Sequence, residues 1–345
     1  SPEDQLLEVI QKAEPVEWAA LQKASPLPAD DTRKALDLLL AQERALVLGA
    51  KGLTPNAVVL SAPAWQRITA TAGAALAAHP DVNKVAFTGG TVTGRKIAQA
   101  ATGNLKRVTL ELGGKNPLIA FEDSDLEKVA ACAVGGMNFG WQGQSCGSMS
   151  RILLHESIHD RVLEKILERV AKIKVGHPLD PSTNMGPINN KAQYQKVLSY
   201  IDIGMKEGAK LLHGGKVPQG DEFKRGYWVE PTVFSDVNMA MRLAKEEVFG
   251  PVLSAMSFTD EDHAVELANG THFGLVSGIW TRDGGRQLRM AKRVKSGQVF
   301  INNYGAGGGV ELPFGGMKSS GYGREKGFEG LLGFTVLKTI AIRHG

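Results

Sequence analysis

Cysteine is scarce in this chain: 345 residues contain only two, Cys132 and Cys146, which excludes a disulfide framework. Long apolar runs are missing as well. None approaches the roughly 18 residues that a membrane span requires. The opening SPEDQLLEVIQK is acidic and amphipathic, where a secretory signal is basic and then apolar. These absences favour a reducing, cytoplasmic setting and no membrane partner. Nor is one sign of charge in excess. Lys+Arg 40 against Asp+Glu 36 leaves +4, interspersed along the chain and too small for an electrostatic footprint on nucleic acid or lipid. The eight histidines show no metal-ligand spacing beyond the i,i+4 pair His155 and His159, which has no third ligand beside it, so no metal site is expected. The rest, 43% hydrophobic and 22% charged, is an ordinary globular composition with room for two or three domains. Small molecules are the expected partners.

Residues 1–70 read as a domain of their own. Leu6, Leu7 and Ile10 mark one helix, Val16, Trp18, Ala20 and Leu21 a second, and Ala35, Leu36, Leu39 and Leu40 a third behind acidic capping residues. RALVLG and AVVLS then flank a connection containing LTPN and suit two strands joined by a loop. In that order the elements resemble a winged-helix repeat of the bacterial selenocysteine-specific elongation factor. The resemblance implies an RNA partner reached through Arg33, Lys34, Arg44 and Lys51. Seven Lys/Arg against nine Asp/Glu in residues 1–70 make such binding weak and salt-sensitive. Beyond His79-Pro80 the pattern becomes α/β. KVAFTGG reads as a strand ending in a glycine turn, TVTGRKIAQAA as a helix, and KRVTLELGG as a second strand of a parallel, nucleotide-binding type of sheet.

Cys146 lies in NFGWQGQSCGSMSR, between small residues. A catalytic thiol needs access, a lowered pKa or a nearby base, and donors for the developing oxyanion. Gly143 and Gly147 leave the backbone open, so a carbonyl could approach the sulfur and the Cys146 N–H together. Cys132, inside the helical run KVAACAV, reads as a small core residue.

Five ordered segments, FTGGTVTG, ELGGKNP, GQSC, EEVFGPV and PFGGMKSSGYGRE, give residues from about 71 to 345 a close resemblance to the aldehyde dehydrogenase superfamily. The resemblance implies oxidation of an aldehyde with NAD or NADP on a partial Rossmann-type cofactor sheet, residues 71–114. A catalytic domain at 115–329 and a C-terminal oligomerisation strand at 330–345, hence a homo-oligomer, are also implied. Cys146 would be the nucleophile and Glu111, 35 residues earlier, the general base. Cofactor contacts would come from the turn Gly89, Gly90, Thr91, Val92, Thr93, Gly94, where a helix N-terminus meets the pyrophosphate. Leu112, Glu247 on the ribose and Phe249 at the nicotinamide end complete the set. Asp123 and Asp125 read as helix caps.

This sequence departs from the family in having Gly90 where a serine is common. It also has no counterpart of the family's first cofactor-sheet strands, of a lysine at the adenosine ribose, or of an oxyanion-hole asparagine. VAFTG and VTLEL should therefore leave a sheet edge unpaired. The alternative reading is an RNA-binding winged-helix module carrying a silent dehydrogenase fragment. NAD titration and an RNA gel shift separate the two.

Overall fold

The computed structural model describes residues 73–304 and 309–345, three short strands nearer the start of the chain, and the single residues Gln5 and Pro28. The chain divides into two units, residues 1–83 with 99–106, and residues 84–98 with 107–345.

In the first unit, strands β1 (Val16–Glu17), β2 (Ala45–Leu48) and β3 (Val58–Ser61) form an antiparallel sheet in the order β1-β3-β2. The hairpin expected from RALVLG and AVVLS is β2 and β3, with Ala45 opposite Ser61 and Leu48 opposite Val58. Val16, expected in a helix, is instead in a strand opposite Val59. Pro15 cannot donate to a helical ladder, and a β-branched residue directly after it favours extended backbone. The three helices of the winged-helix reading, and Arg33, Lys34, Arg44 and Lys51, lie outside the described residues. In the same unit the buried Lys106 ammonium donates to the carbonyls of Ala77 (2.8 Å) and His79 (2.9 Å).

The second unit holds two sheets. β4 (Lys84–Thr88) and β5 (Arg107–Glu111) are parallel, and β13 (Gly321–Tyr322) joins β5 antiparallel, in the order β13-β5-β4. β4 is thus an edge strand among the described residues. The larger sheet contains β6 (Pro117–Ala120), β7 (Arg151–His155), β8 (Lys210–His213), β9 (Thr232–Ser235), β10 (Val252–Phe258), β11 (Val276–Trp280) and β12 (Gln298–Ile301). Their order is β12-β11-β6-β7-β10-β9-β8, and every pair is parallel except β8 with β9. Residues on both faces of β6, β9 and β11 are buried, which is why PLIA, TVFS and VSGIW lack a polar alternation.

The helices are α1 (Thr91–Ala101), which follows β4, and then α2 (Leu126–Gly136), α3 (His159–Val170), α4 (Lys191–Lys206), α5 (Glu261–Asn269), α6 (Gly284–Arg293) and α7 (Gly327–Leu332); α3, α4, α5 and α6 pack on strands of the larger sheet. Side chains that accept a backbone N–H start four of them: Asp125 from Lys128, Asn190 from Gln193, Asp260 from His263 and Asp283 from Gly285. Asp123, expected as a second cap of α2, instead accepts from Thr281 Oγ1 (2.9 Å) and Arg282 N (2.8 Å) at the exit of β11. Its carboxylate is better satisfied there, where two backbone N–H groups and a hydroxyl converge.

Of residues 330–345, expected as a strand, 330–332 end helix α7 and 333–345 pair with no strand among the described residues; Leu337 is 94% and Val336 80% exposed. A strand needs a neighbour to satisfy its backbone, and none is offered here. Among the described residues no helix is long and apolar enough to cross a membrane, and no His/Cys/Asp/Glu cluster could hold a metal ion. His155 is occupied by Ser157 Oγ and the Thr259 carbonyl.

Candidate active site

Beyond the C-terminal ends of β4 and β5 the second unit opens into a cavity of about 560 Å³. This is where ligands sit on parallel sheets. β4 runs into Thr88, Gly89 and Gly90, and β5 ends on Glu111 followed by Leu112 and Gly113; together they form one wall. Trp141, Gln144, Ser145 and Cys146 form the second, and Gln193, Lys196, Glu247 and Phe249 the third.

The loop that presents Cys146 is folded by three left-handed residues, Asn138 (φ 57), Gln142 (φ 55) and Gly143 (φ 64). The Asn138 carbonyl accepts from both Trp141 N and Gly143 N at 2.9 Å. Only glycine fits at 143, because a Cβ there would lie 2.2 Å from the Gly250 carbonyl oxygen. The far side of the loop is pinned by Asn116, just before β6. Its Nδ2 donates to the carbonyls of Cys146 (2.8 Å) and Ser148 (3.0 Å), and its Oδ1 accepts from Val276 N (3.0 Å). Arg151, which opens β7, anchors the same region. Its fully buried guanidinium donates to the carbonyls of Lys115 (3.0 Å), Leu267 (2.8 Å) and Ala268 (3.0 Å), and burial pushes its pKa down to about 9.

Burial raises the Cys146 thiol pKa, and the carboxylates of Glu247 and Glu111 raise it further; the N–H groups of Gly147 and Cys146 itself pull the other way. The thiol is therefore not activated by a lowered pKa. Glu111 lines the same cavity. Both its oxygens are buried without a hydrogen-bond partner, and burial, reinforced by Glu325 against Arg324, pushes its pKa from 4.5 up to about 8. Cys132, half-buried on α2, is pushed up to about 11, mainly by burial.

Glu247 Oε1 accepts from Gly114 N at 2.8 Å. Burial raises the Glu247 pKa against that hydrogen bond and the nearby Lys196 and Lys115 ammonium groups. Lys115 is buried with no hydrogen-bond partner for Nζ, and desolvation pushes its pKa down to about 7. Phe249 holds the left-handed region (φ 55), unusual for a bulky residue, and Gln193 Nε2 fixes it by donating to the carbonyls of Val248 (2.9 Å) and Phe249 (2.8 Å).

Of the residues expected from the sequence, Cys146, Glu111, Gly89, Gly90, Leu112, Glu247 and Phe249 meet at this cavity. Thr91, Val92, Thr93 and Gly94 do not line it. The Thr91 hydroxyl donates to the Ser319 carbonyl (3.2 Å), Val92 is 69% exposed, Thr93 is exposed, and Gly94 packs on the Leu112 side chain. Gln193, Lys196, Trp141 and Gln144 also line the cavity. Gln193 and Lys196 are spaced three apart on α4 and so share a helix face, a signal indistinguishable from ordinary amphipathic patterning.

The sequence matches the model of the Aldehyde dehydrogenase family over residues 54–340, so the match begins ahead of residue 71 and takes in β3. Betaine aldehyde dehydrogenase of Mesorhizobium japonicum is 46% identical over 273 residues, which are 79% of this chain and 56% of that protein. The crystal structure of betaine aldehyde dehydrogenase from Staphylococcus aureus in complex with NAD+ superimposes with a TM-score of 0.73 at 41% identity, over 76% of this chain and 52% of that one. An indole-3-acetaldehyde dehydrogenase complexed with NAD+ gives 0.74 at 42% identity, over 77% and 53%. The chain belongs to the aldehyde dehydrogenase family. It spans about half the length of the curated relatives it matches.

Proposed function

We propose that this cavity oxidises an aldehyde to a carboxylic acid with NAD or NADP, with Cys146 as nucleophile and Glu111 as base. The observation that carries the reading is that Cys146 shares a cavity with a buried carboxylate whose oxygens have no protein partner. The Cys146 thiolate adds to the aldehyde carbon, and the carbonyl electrons move to oxygen, beside the Cys146 N–H. NAD or NADP, when bound, would supply the hydride acceptor needed to leave Cys146 as a thioester. Glu111 then takes a proton from water; the oxygen attacks the thioester carbon and the C–S bond breaks, releasing acid and thiolate.

The residues present fit the nicotinamide end of the cofactor. Glu247 is held by Gly114 N, and the open glycine backbone at Gly113 makes its placement possible: a Cβ there would lie 2.3 Å from Glu247 Oε2. Nothing lies within 4 Å of a Cβ at Gly90, so that turn is open to a ligand. Gly113→Ala is accordingly expected to displace Glu247 and weaken NAD binding about tenfold, roughly the loss of one charge-assisted hydrogen bond. Calorimetric titration checks this, with an unchanged melting temperature as a sign of intact folding. Trp141, 67% exposed at the rim, offers an indole face suited to an aldehyde bearing a cationic group. The exposed apolar residues Val336, Leu337 and Ile340 would add a strand to a second copy of the chain.

The test of the proposed reaction is calorimetric titration with NAD, coupled to aldehyde-dependent absorbance of reduced nicotinamide for betaine aldehyde and indole-3-acetaldehyde. NAD that binds but is reduced with neither aldehyde, at any pH up to 9, would sink the proposal.

A further inference from the structure

The loop carrying Cys146 is braced from a third direction by Tyr304, three residues past the end of β12 and outside every motif that identified the site. Its hydroxyl accepts from Asn138 Nδ2 at 2.8 Å and donates to the Gly147 carbonyl at 3.3 Å. Asn138 opens the loop and Gly147 closes it, so a single oxygen bridges entry and exit. Asn138 Nδ2 also lies 3.3 Å from Ser148 Oγ and from the Gly136 carbonyl, which ties the bridge to the end of α2. The ring packs closely on Gly136, where a Cβ would come 3.2 Å from Tyr304 Cδ2 and push the ring back by a few tenths of an ångström. Asn138 itself holds a left-handed conformation (φ 57), which its side-chain bonds help to maintain.

We propose that Tyr304, acting through Asn138 and the Gly147 carbonyl, is a positioning residue that keeps the N–H groups of Cys146 and Gly147 aimed at the Cys146 sulfur. The inference rests on the reading of Cys146 as the nucleophile. Those two N–H groups are the donors that favour the thiolate, against burial and the Glu247 and Glu111 carboxylates. The Gly147 N–H also reaches Ser145 Oγ (3.2 Å), and its peptide is held by Asn116 at the Cys146 carbonyl. Tyr304 holds the next peptide, so losing the hydroxyl frees the backbone of residue 147 to rotate and withdraws part of that support. The phenol stays protonated, because burial raises its pKa, and is therefore a donor at neutral pH. The charged groups acting on Cys146 are Glu247 and Glu111, and Lys196 lines the same cavity.

Iodoacetamide alkylation across pH, followed by mass spectrometry at Cys146 and Cys132 separately, tests this without cofactor or substrate. Tyr304→Phe keeps the ring on Gly136 and removes only the hydroxyl. Its Cys146 profile should move to higher pH, with the rate at neutral pH reduced about fivefold, the scale of one lost hydrogen bond. Cys132 should be unaffected. Asn138→Gly tolerates the left-handed backbone and should give the same shift; combining the two should add little, since both cut one bridge. A loss of stability alone would lower the melting temperature without moving the Cys146 profile. Coincident Cys146 profiles for wild type and Tyr304→Phe, with Cys146 still reacting faster than Cys132, overturn the bridge and leave the nucleophile in place. Wild-type Cys146 no faster than Cys132 overturns both.

Discussion

Exchanging Cys146 for serine is expected to abolish covalent turnover while leaving the fold unchanged. An activated ester such as p-nitrophenyl acetate should acylate the wild-type protein in a burst of nitrophenolate, with an acetyl group on Cys146 visible by mass spectrometry. The burst requires no nicotinamide, so it isolates the thiol chemistry. A serine hydroxyl is a far weaker nucleophile near neutral pH, and the burst rate should fall by at least about 10³-fold. The bonds that shape the loop come from the Cys146 carbonyl and from neighbouring residues, so they survive the change. A full burst in Cys146→Ser would move the nucleophile elsewhere, and Cys132 would have to act despite a thiol pushed up to about 11.

The second large effect concerns Glu111. Glu111→Gln should preserve the burst and slow the turnover that follows it by about 10²–10⁴-fold, the usual contribution of a positioned base. As a base Glu111 must be ionised, and burial pushes its pKa from 4.5 up to about 8. Wild-type steady-state turnover should therefore rise with pH through about 8 and level off above it, whereas the variant should show no such rise. Stability runs in the opposite sense. The folded state holds the Glu111 proton more tightly than the unfolded chain, so stability is lost progressively as pH climbs from about 4.5 to about 8. Removing the ionisation should raise the melting temperature, most clearly above pH 8. Turnover in Glu111→Gln that still climbs through this range would place the base on another residue.

How much of this was legible follows from how local each signal is. Strand β4, helix α1 and strand β5 could be read from KVAFTGG, TVTGRKIAQAA and KRVTLELGG, because each carries its own periodicity and punctuation. Cys146 and Glu111 could be paired because short, unusual strings surround them. Glu247 lies far from both in sequence, and only the resemblance connected it to them. Gln193 supports a strained carbonyl pair from the middle of an ordinary helix, and Tyr304 bridges a loop from the end of a strand; neither role has a local pattern. The turn residues Thr91–Gly94 show the converse. Their motif was readable, but the Thr91 hydroxyl goes to the Ser319 carbonyl, Val92 and Thr93 are exposed, and the Gly94 backbone packs on Leu112 instead of lining this cavity. The apolar spacing around Val16 suits a helix, but the proline before it and its own β-branched side chain favour the strand that forms there.

Arg151 has a consequence for how this region comes apart. A buried cation held only by three carbonyls can neither be neutralised by a carboxylate nor reach water while its surroundings stay intact. Fraying the last turn of α5 would remove two of those carbonyls, and shifting the segment before β6 would remove the third. Either event strands a charge in the core, at a cost that resists partial opening. The segment before β6, the start of β7 and the end of α5 should accordingly exchange their amide hydrogens as one cooperative unit. The nucleophile loop, tied to that unit by Asn116, then has no cheap private route to unfolding, and its lifetime is set by the stability of the whole sheet.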